Sequence, residues 1–544
     1  MLRVHEMLEQ SKTCLTNDYQ VNAKVDGQVI LIYSKGYKNK RACVQEIRKS
    51  SLNQAIDALK KKVVKFSEDV VYLEISVVTK IIEINYFELI NRLENTRRTY
   101  FRYGVGVGNN LKYIFTEKES NANALFYGGN KIEHCVFNFK NFKKYAKKKY
   151  LNYSVDCLKK ERYFLFDVKS VFLNFKTKEV NELYSFGLNA GRRKINSLTP
   201  VVIDKLITAS SEYLAKQVDE VTGKFRYGWH PCFDRYIDHY NTLRHASSVY
   251  AMLEAWSVTK SEKLMVAIKK AISYLVENYI LIKKNNDGAV AFLIDLNEEI
   301  KLGGVAACLL MLCKYYQVSK DDQYVELSSL LAKGILYMQQ EDGSFVHVLN
   351  SSDLTVKEKH RIVYYDGEAI YALMLFCKTE SSDLILNAAE KAMDYCILNN
   401  YEKYHDHWLA YAIRELVLVR PSQRYYQFAI DNVRGYLGFI SNRVTTFPTL
   451  LELMMATHDV IQRLKEKKQY IKLLDSIDLE RFYNALHVRA EYLLNGFFWP
   501  EYAMYFKNPT RIEGGFFIRH QAFRVRIDDV QHYLSGLIGY KKIL

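Results

Sequence analysis

The chain has 544 residues, 49% of them apolar and 25% charged, and carries a formal net charge of +16 at neutral pH. That length exceeds one ordinary core and supplies apolar residues for two or more packed units. Nine scattered cysteines, an odd number with no CxxC pair, make a poor disulfide scaffold and set the expectation of a reducing, cytoplasmic protein.

Met1 through Thr16 carries Glu6 and Glu9 and has no apolar run of the signal-sequence kind. Val70 to Ile90 is apolar but broken by Glu74, Lys80, Glu83 and Glu88, so no transmembrane segment is expected there or elsewhere. Alternation and β-branched content predict strands at Val29–Tyr33, Val70–Val78, Tyr100–Val107, Leu111–Phe115, Cys135–Phe139 and Tyr163–Phe175. Ala55, Ile56, Leu59 and Val63 at helical steps predict a helix over Ser51–Phe66. Gly104, Gly106 and Gly108 depart from the dinucleotide-binding spacing and lead into another strand, which predicts a glycine-containing hairpin turn. Lys140, Lys143, Lys144, Lys147, Lys148 and Lys149, interleaved with Phe142, Tyr145 and Tyr150, predict a solvated basic helix. Nucleic acid is the less favoured partner, because no recognised nucleic-acid module surrounds the run.

All six prolines lie at or beyond Pro200, and Ser197, Thr199 and Pro200 read as a helix start. The chain is therefore expected to divide into a mixed α/β domain over residues 1–199 and a second domain over residues 200–544. Charge divides at the same place. Residues 1–200 hold 36 Lys plus Arg against 20 Asp plus Glu, leaving 41 of each from totals of 77 and 61. The basic part is expected to meet an anionic polymer, glycan, membrane surface or phosphate-bearing ligand, unless its lysines only solubilise the surface.

Beyond residue 200, twelve helix-length segments read as six pairs. First members lie near residues 202–217, 261–280, 320–339, 382–399, 422–440 and 479–495. Second members lie near 240–257, 302–317, 366–378, 407–418, 447–465 and 528–540. Links from second members to the next first member are mostly short, and links into second members are often long. Helix hairpins stacked in this way trim one end of a ring and load the other with loops, where repeat architectures carry function.

Candidate site residues cluster at those loaded ends. Trp229, His230, Asp234, Asp238, Tyr240, Asn241, Arg244 and His245 crowd the approach to one second member, and Asn241 and Arg244 share a helix face one turn apart. An arginine at a helix N-terminus favours a carboxylate or phosphate, although Arg and Asp residues also serve to hold loops down. Tyr365, Asp366 and Glu368 mark another helix start, Asp406, His407 and Trp408 a third, and Glu513, Arg526, Asp528, Asp529 and His532 lead into the last. Ring closure would bring these segments to one mouth. His230, Cys232, Cys308, Cys313 and His407 lack zinc-site spacing, and the two helical cysteines fit a buried apolar role. No cofactor is expected; a zinc ion or a nucleotide stays open.

Gln339 through Phe345, Gln-Gln-Glu-Asp-Gly-Ser-Phe, resembles the Gln-x-x-x-Gly-x-aromatic turn of the terpene-cyclase branch of α/α toroids, and Asp-Gly-Ser-aromatic turns occur in carbohydrate-active toroids. The resemblance covers about residues 200–544 and is architectural. The sequence contains no aspartate-rich cyclase motif and no adjacent Cys-His pair of the lanthionine-cyclase kind. What remains resembles the carbohydrate-active toroids, which implies an α+β chain ending in an all-α (α/α)6 toroid that hydrolyses, eliminates or epimerises a sugar or acidic glycan, in a surface-polysaccharide setting. On that reading Asp366, Glu368, Asp528, Asp529, His245, His407 and His532 are the catalytic candidates. Trp229, His230, Asp234, Asp238, Tyr240, Asn241, Arg244, Tyr365, Asp406, Trp408, Glu513 and Arg526 are the substrate-binding candidates. A non-catalytic scaffold for an anionic polymer or nucleic acid, and a ligase or transferase with a phosphate-bearing cosubstrate, are the alternatives.

Overall fold

A computed structural model of the protein describes residues 2–17, 23–154, 158–285 and 288–544. Two compact units emerge. One comprises Met1–Ser197 with Trp229–Tyr236 and Asn495–Val525, and the other comprises Leu198–Gly228, Ile237–Leu494 and Arg526–Leu544.

The first unit is built on an antiparallel sheet. Its strands are β1 (Lys24–Val25), β2 (Gln28–Gly36), β3 (Cys43–Lys49), β4 (Tyr72–Ile84), β5 (Gly104–Val107), β6 (Tyr113–Phe115), β7 (Tyr163–Asn174) and β8 (Glu179–Glu182). The order is β1-β2-β4-β7-β5-β6, with β3 also on β2 and β8 on β7. The long β4–β7 pair has an irregularity between Val78 and Lys80. One extra residue there moves the apolar alternation of β4 from Leu73, Ile75 and Val77 to Ile82 and Ile84. Both stretches therefore oppose odd-numbered β7 residues, Leu173 and Val171 at one end and Leu165 and Tyr163 at the other. Helices Leu2–Thr16 and Leu52–Val63 cover the first end with Leu8, Ile56 and Leu59, and helices Tyr86–Glu94 and Phe139–Lys149 cover the second with Leu89, Leu93 and Phe142.

The glycine segment forms the expected hairpin, with β5 and β6 antiparallel and Val105 opposite Phe115. The strand expected at Cys135–Phe139 does not form. Asn138 instead caps the helix that begins at Phe139 by accepting from the Asn141 N–H, while Cys135 and Phe137 pack irregularly in the second core. That helix buries Phe142 and Ala146 and leaves Lys140, Lys143, Lys144, Lys147 and Lys148 exposed.

The second unit is a ring of paired helices. Outer helices are α1 (Pro200–Gln217), α3 (Glu262–Tyr279), α5 (Val325–Tyr337), α7 (Asp383–Leu398), α9 (Gln423–Arg434) and α11 (Leu479–Leu493). Inner helices are α2 (Thr242–Thr259), α4 (Leu302–Ser319), α6 (Tyr364–Cys377), α8 (His407–Val419), α10 (Thr449–Lys467) and α12 (Ile527–Lys541). Each inner helix packs on the next, and α12 packs back on α2, which closes the ring. The inner helices consequently bury nearly their whole circumference. Leu302–Ser319 is long and apolar enough to cross a membrane, and its apolarity is accounted for by that burial.

A five-stranded antiparallel sheet absent from the sequence expectation occupies the links that lead into α4 and α6. Its strands are Ile280–Asn285, Gly288–Asp295, Glu299–Lys301, Val348–Asn350 and Val356–Glu358, in that order.

Candidate active site

The N-terminal turns of the six inner helices converge at one end of the ring. Unsatisfied N–H groups give each a partial positive charge, so an acidic cluster and anionic ligands are both favoured there. The central group is Glu452 in the first turn of α10, fully buried. Its Oε2 lies 2.8 Å from His532 Nδ1 on α12 and 4.0 Å from His407 Nε2 on α8. Its Oε1 accepts from the Tyr411 hydroxyl at 3.3 Å. The two imidazole rings lie 5.2 Å apart, and Trp408 stands 5.0 Å from His407 and 6.2 Å from His532.

Burial pushes the Glu452 carboxyl up to about 8, offset in part by His407. Burial, then the positive charge of Arg244, holds His532 down at about 4. At neutral pH burial therefore favours the uncharged form of each, a protonated Glu452 and a neutral His532. The hydrogen bonds of His532 run through Nδ1, and His407 Nε2 is buried with no hydrogen-bond partner among the described residues. The three ligand atoms of His407, Glu452 and His532 lie within 4.8 Å of one another, a spacing that suits a metal ion as well as a proton.

Glu368, one turn into α6, is another buried carboxyl. Burial, with a smaller contribution from Asp406 and against the pull of Arg244, raises it to about 8, and its Oε2 has no hydrogen-bond partner among the described residues. Arg244 on α2 reaches Asp528 at 3.5 Å, and Arg526 reaches Asp528 at 2.8 Å and Asp529 at 3.4 Å. Arg244 keeps about a third of its side chain exposed, which leaves the guanidinium accessible to a ligand.

Other candidates have structural tasks. His245 is a correction: it is fully buried, its Nδ1 accepts from the Tyr240 hydroxyl at 2.7 Å and its Nε2 donates to the Ala271 carbonyl on outer helix α3 at 2.9 Å. Burial drops its pKa to about 3, and both ring nitrogens are used. Tyr240 is its partner rather than a sugar platform. Asp366 takes the Nε2 proton of His347 at 3.2 Å, a tautomer fixed by the Arg361 and Ile362 N–H groups that both donate to His347 Nδ1. Asn241 caps α2 by accepting from the Arg244 N–H, and its amide donates to Asp295 at 3.1 Å. Asp406 caps α8 by accepting from Trp408 and Leu409. Tyr365 is buried beside Glu368, and Asp238 is exposed.

Trp229, His230, Asp234 and Glu513 belong to the other unit. There the Arg511 guanidinium lies 4.9 Å from the Trp229 ring and pairs with Asp234 at 2.8 Å, and the Tyr72 hydroxyl meets Glu513 at 3.4 Å. Cys308 and Cys313 lie in the core of α4, where burial raises both thiols to about 12. Sequence reasoning missed Glu452, Tyr411 and His347. The available signal for Glu452 was a single carboxylate inside Leu450, Leu451, Leu453, Met454 and Met455.

No family model and no curated protein matches the chain. Among solved structures it is similar to a D-mannose isomerase at 11% identity and a TM-score of 0.49, over 64% of this chain and 100% of that one. It is similar to the cellobiose 2-epimerase of Bacillus thermoamylovorans B4167 at 12% identity and a TM-score of 0.47, over 63% and 100%. It is also similar to an unsaturated glucuronyl hydrolase specific for heparin at 9% identity and a TM-score of 0.44, over 63% and 97%.

Proposed function

We propose that the helical ring is a catalytic unit acting on a sugar or acidic glycan, and that proton transfer next to a carbonyl, an epimerisation or isomerisation, is the reaction its mouth supports best. The observation that carries this reading is Glu452 held between two histidines on flanking inner helices. In its ionised form Glu452 accepts from the His532 Nδ1–H, which leaves Nε2 unprotonated and able to take a proton from carbon. The carbon's electron pair then moves into the bond to the carbonyl carbon and gives an enediolate. Arg244 and the neutral Glu368 carboxyl steady its oxygens. His407 returns a proton, to the opposite face of the same carbon for an epimer or to the neighbouring carbon for an isomer, in which case the Glu368 carboxyl also gives a proton to one oxygen and takes the hydroxyl proton from the other. Arg244 and the helix N-termini favour a substrate with a carboxylate or phosphate.

The test is incubation of the full chain with uronic acids, neutral aldoses and sugar phosphates in deuterium oxide, followed by proton NMR. Deuterium at the carbon beside the carbonyl, lost in His532→Asn, supports the reading. Glycosidic cleavage without carbon-bound deuterium would replace it with hydrolysis.

The exposed face of helix Phe139–Lys149 favours a separate role for the basic unit, binding an anionic polymer. That reading does not depend on the chemistry of the ring.

A further inference from the structure

The opposite end of the ring holds a cavity of about 500 Å³, to which all six inner helices contribute. Its volume lies in the range of small-molecule sites. Among its lining residues are Tyr250, Tyr371 and Tyr411. The hydroxyls of Tyr250 and Tyr371 are 2.9 Å apart, and the rings of Tyr371 and Tyr411 stack at 5.3 Å.

Several charges in this cavity are already committed. Glu415 pairs with Lys378 and with Arg414, Arg414 also reaches Asp459 at 3.3 Å, and Glu254 accepts from the Ser535 hydroxyl at 2.7 Å. Lys314, Arg463 and Lys542 line the same cavity and form no ion pair among the described residues. Inner helices end here, and their negative ends account for cations in the neighbourhood. They do not account for Arg463 Nε, which is buried with no hydrogen-bond partner among the described residues. An unmade hydrogen bond on a buried charged donor is costly, and an anionic oxygen in the cavity would remove that cost.

We propose that this cavity is a second ligand site, for a small multivalent anion held by Arg463 and Lys314 with Lys542 at the rim. The occupant carries phosphate or carboxylate oxygens. The site is one hydrogen bond from the reactive cluster, because Tyr411 lines the cavity and also donates to Glu452.

The test is calorimetric titration of the full chain with inorganic pyrophosphate and, in parallel, citrate, at constant ionic strength. The variants are Arg463→Gln with Lys314→Gln, Lys542→Gln alone, and Arg244→Ala as the control at the opposite end. The expected result is saturable binding of at least one anion, with a component that is weakened at least tenfold in the double variant, weakened less in Lys542→Gln and retained in Arg244→Ala. Preference for pyrophosphate or citrate tells phosphate from carboxylate recognition. Loss of binding in Arg244→Ala with retention in the double variant would assign the anion to the mouth and overturn the proposal, as would absence of saturable binding in the native chain. If the double variant unfolds, Lys542→Gln carries the test, and native affinity in that variant together with competition by a mouth ligand overturns it.

Discussion

Gly303 and Glu368 share one space: a β-carbon on residue 303 would lie 2.0 Å from Glu368 Oε2 and 2.5 Å from the Tyr365 ring. Glycine inside a helix costs roughly 1 kcal/mol against alanine. Here it lets α4 approach α6 closely enough to bury the Glu368 carboxyl. Gly303→Ala is expected to lower stability by about 1 to 3 kcal/mol, the usual range for forcing an extra carbon into a packed site. Denaturant titration checks this, and a variant as stable as the parent would show that the two helices have room to spare.

Glu368 also sets a pH dependence. Its carboxyl titrates at about 8 in the folded chain against 4.5 for an ordinary glutamate, because burial disfavours the charge. Between those values the unfolded chain releases a proton that the folded chain retains, so stability falls as pH rises through this window. Glu452 contributes in the same direction and His532 in the opposite one, losing stability as pH falls from 6.5 towards 4. Glu368→Gln should flatten the alkaline side and raise stability at pH 8 by on the order of a few kcal/mol relative to pH 5. Equal slopes for parent and variant between pH 5 and 8 would contradict the buried neutral carboxyl.

The ring was legible because its inner helices repeat apolar residues at three- and four-residue steps, and the expected 302–317 and 407–418 fall within α4 and α8. Asn241 and Asp406 marked helix starts for the reason that makes them caps, so the signal that located the mouth also overstated their chemical part. His245 shows the same ambiguity. A histidine one turn into a helix points outward or inward according to the helix's rotation, and only the packed α3 carbonyl decides it. Glu452 was hidden for the converse reason: its neighbours are apolar on all sides, and no local pattern states that α8 and α12 bring histidines to it. The five-stranded sheet escaped because several of its strands are three residues long and lie inside links.

The dyad predicts a division of labour. Glu452→Gln keeps the volume but not the carboxylate that orients His532, so turnover in the deuterium-exchange assay should fall by about 10² to 10⁴ with little change in substrate affinity. Tyr411→Phe removes only the hydrogen bond to Oε1. Its expected signature is a displaced pH profile with a smaller loss of rate. Identical profiles for the parent and Tyr411→Phe would remove Tyr411 from the catalytic network.

The basic unit is expected to bind anionic polymers with strong salt dependence, since added ions shorten the reach of exposed charges. Replacing Lys143, Lys144, Lys147 and Lys148 by Gln in the full chain should weaken binding to an acidic glycan and reduce its salt slope, because these residues lie on the exposed face of their helix. Binding to the glycan, to anionic vesicles and to single-stranded RNA is compared by fluorescence anisotropy or co-sedimentation. An unchanged salt slope in the quadruple variant would move the contact elsewhere.

Arg244 provides the sharpest test of substrate charge. Its guanidinium stands 3.5 Å from Asp528, which Arg526 also engages, so Asp528 remains paired when Arg244 is removed. Arg244→Ala therefore leaves no isolated carboxylate behind, and a loss of affinity reports on the ligand rather than on collapse of the site. A sugar acid should bind more weakly by about 1.5 to 3 kcal/mol, the range for a hydrogen bond to a charged group, while its uncharged analogue should change little. Calorimetry with a uronic acid and the corresponding neutral aldose measures both. Equal losses for the two ligands would make Arg244 a packing residue and remove the argument for an acidic substrate.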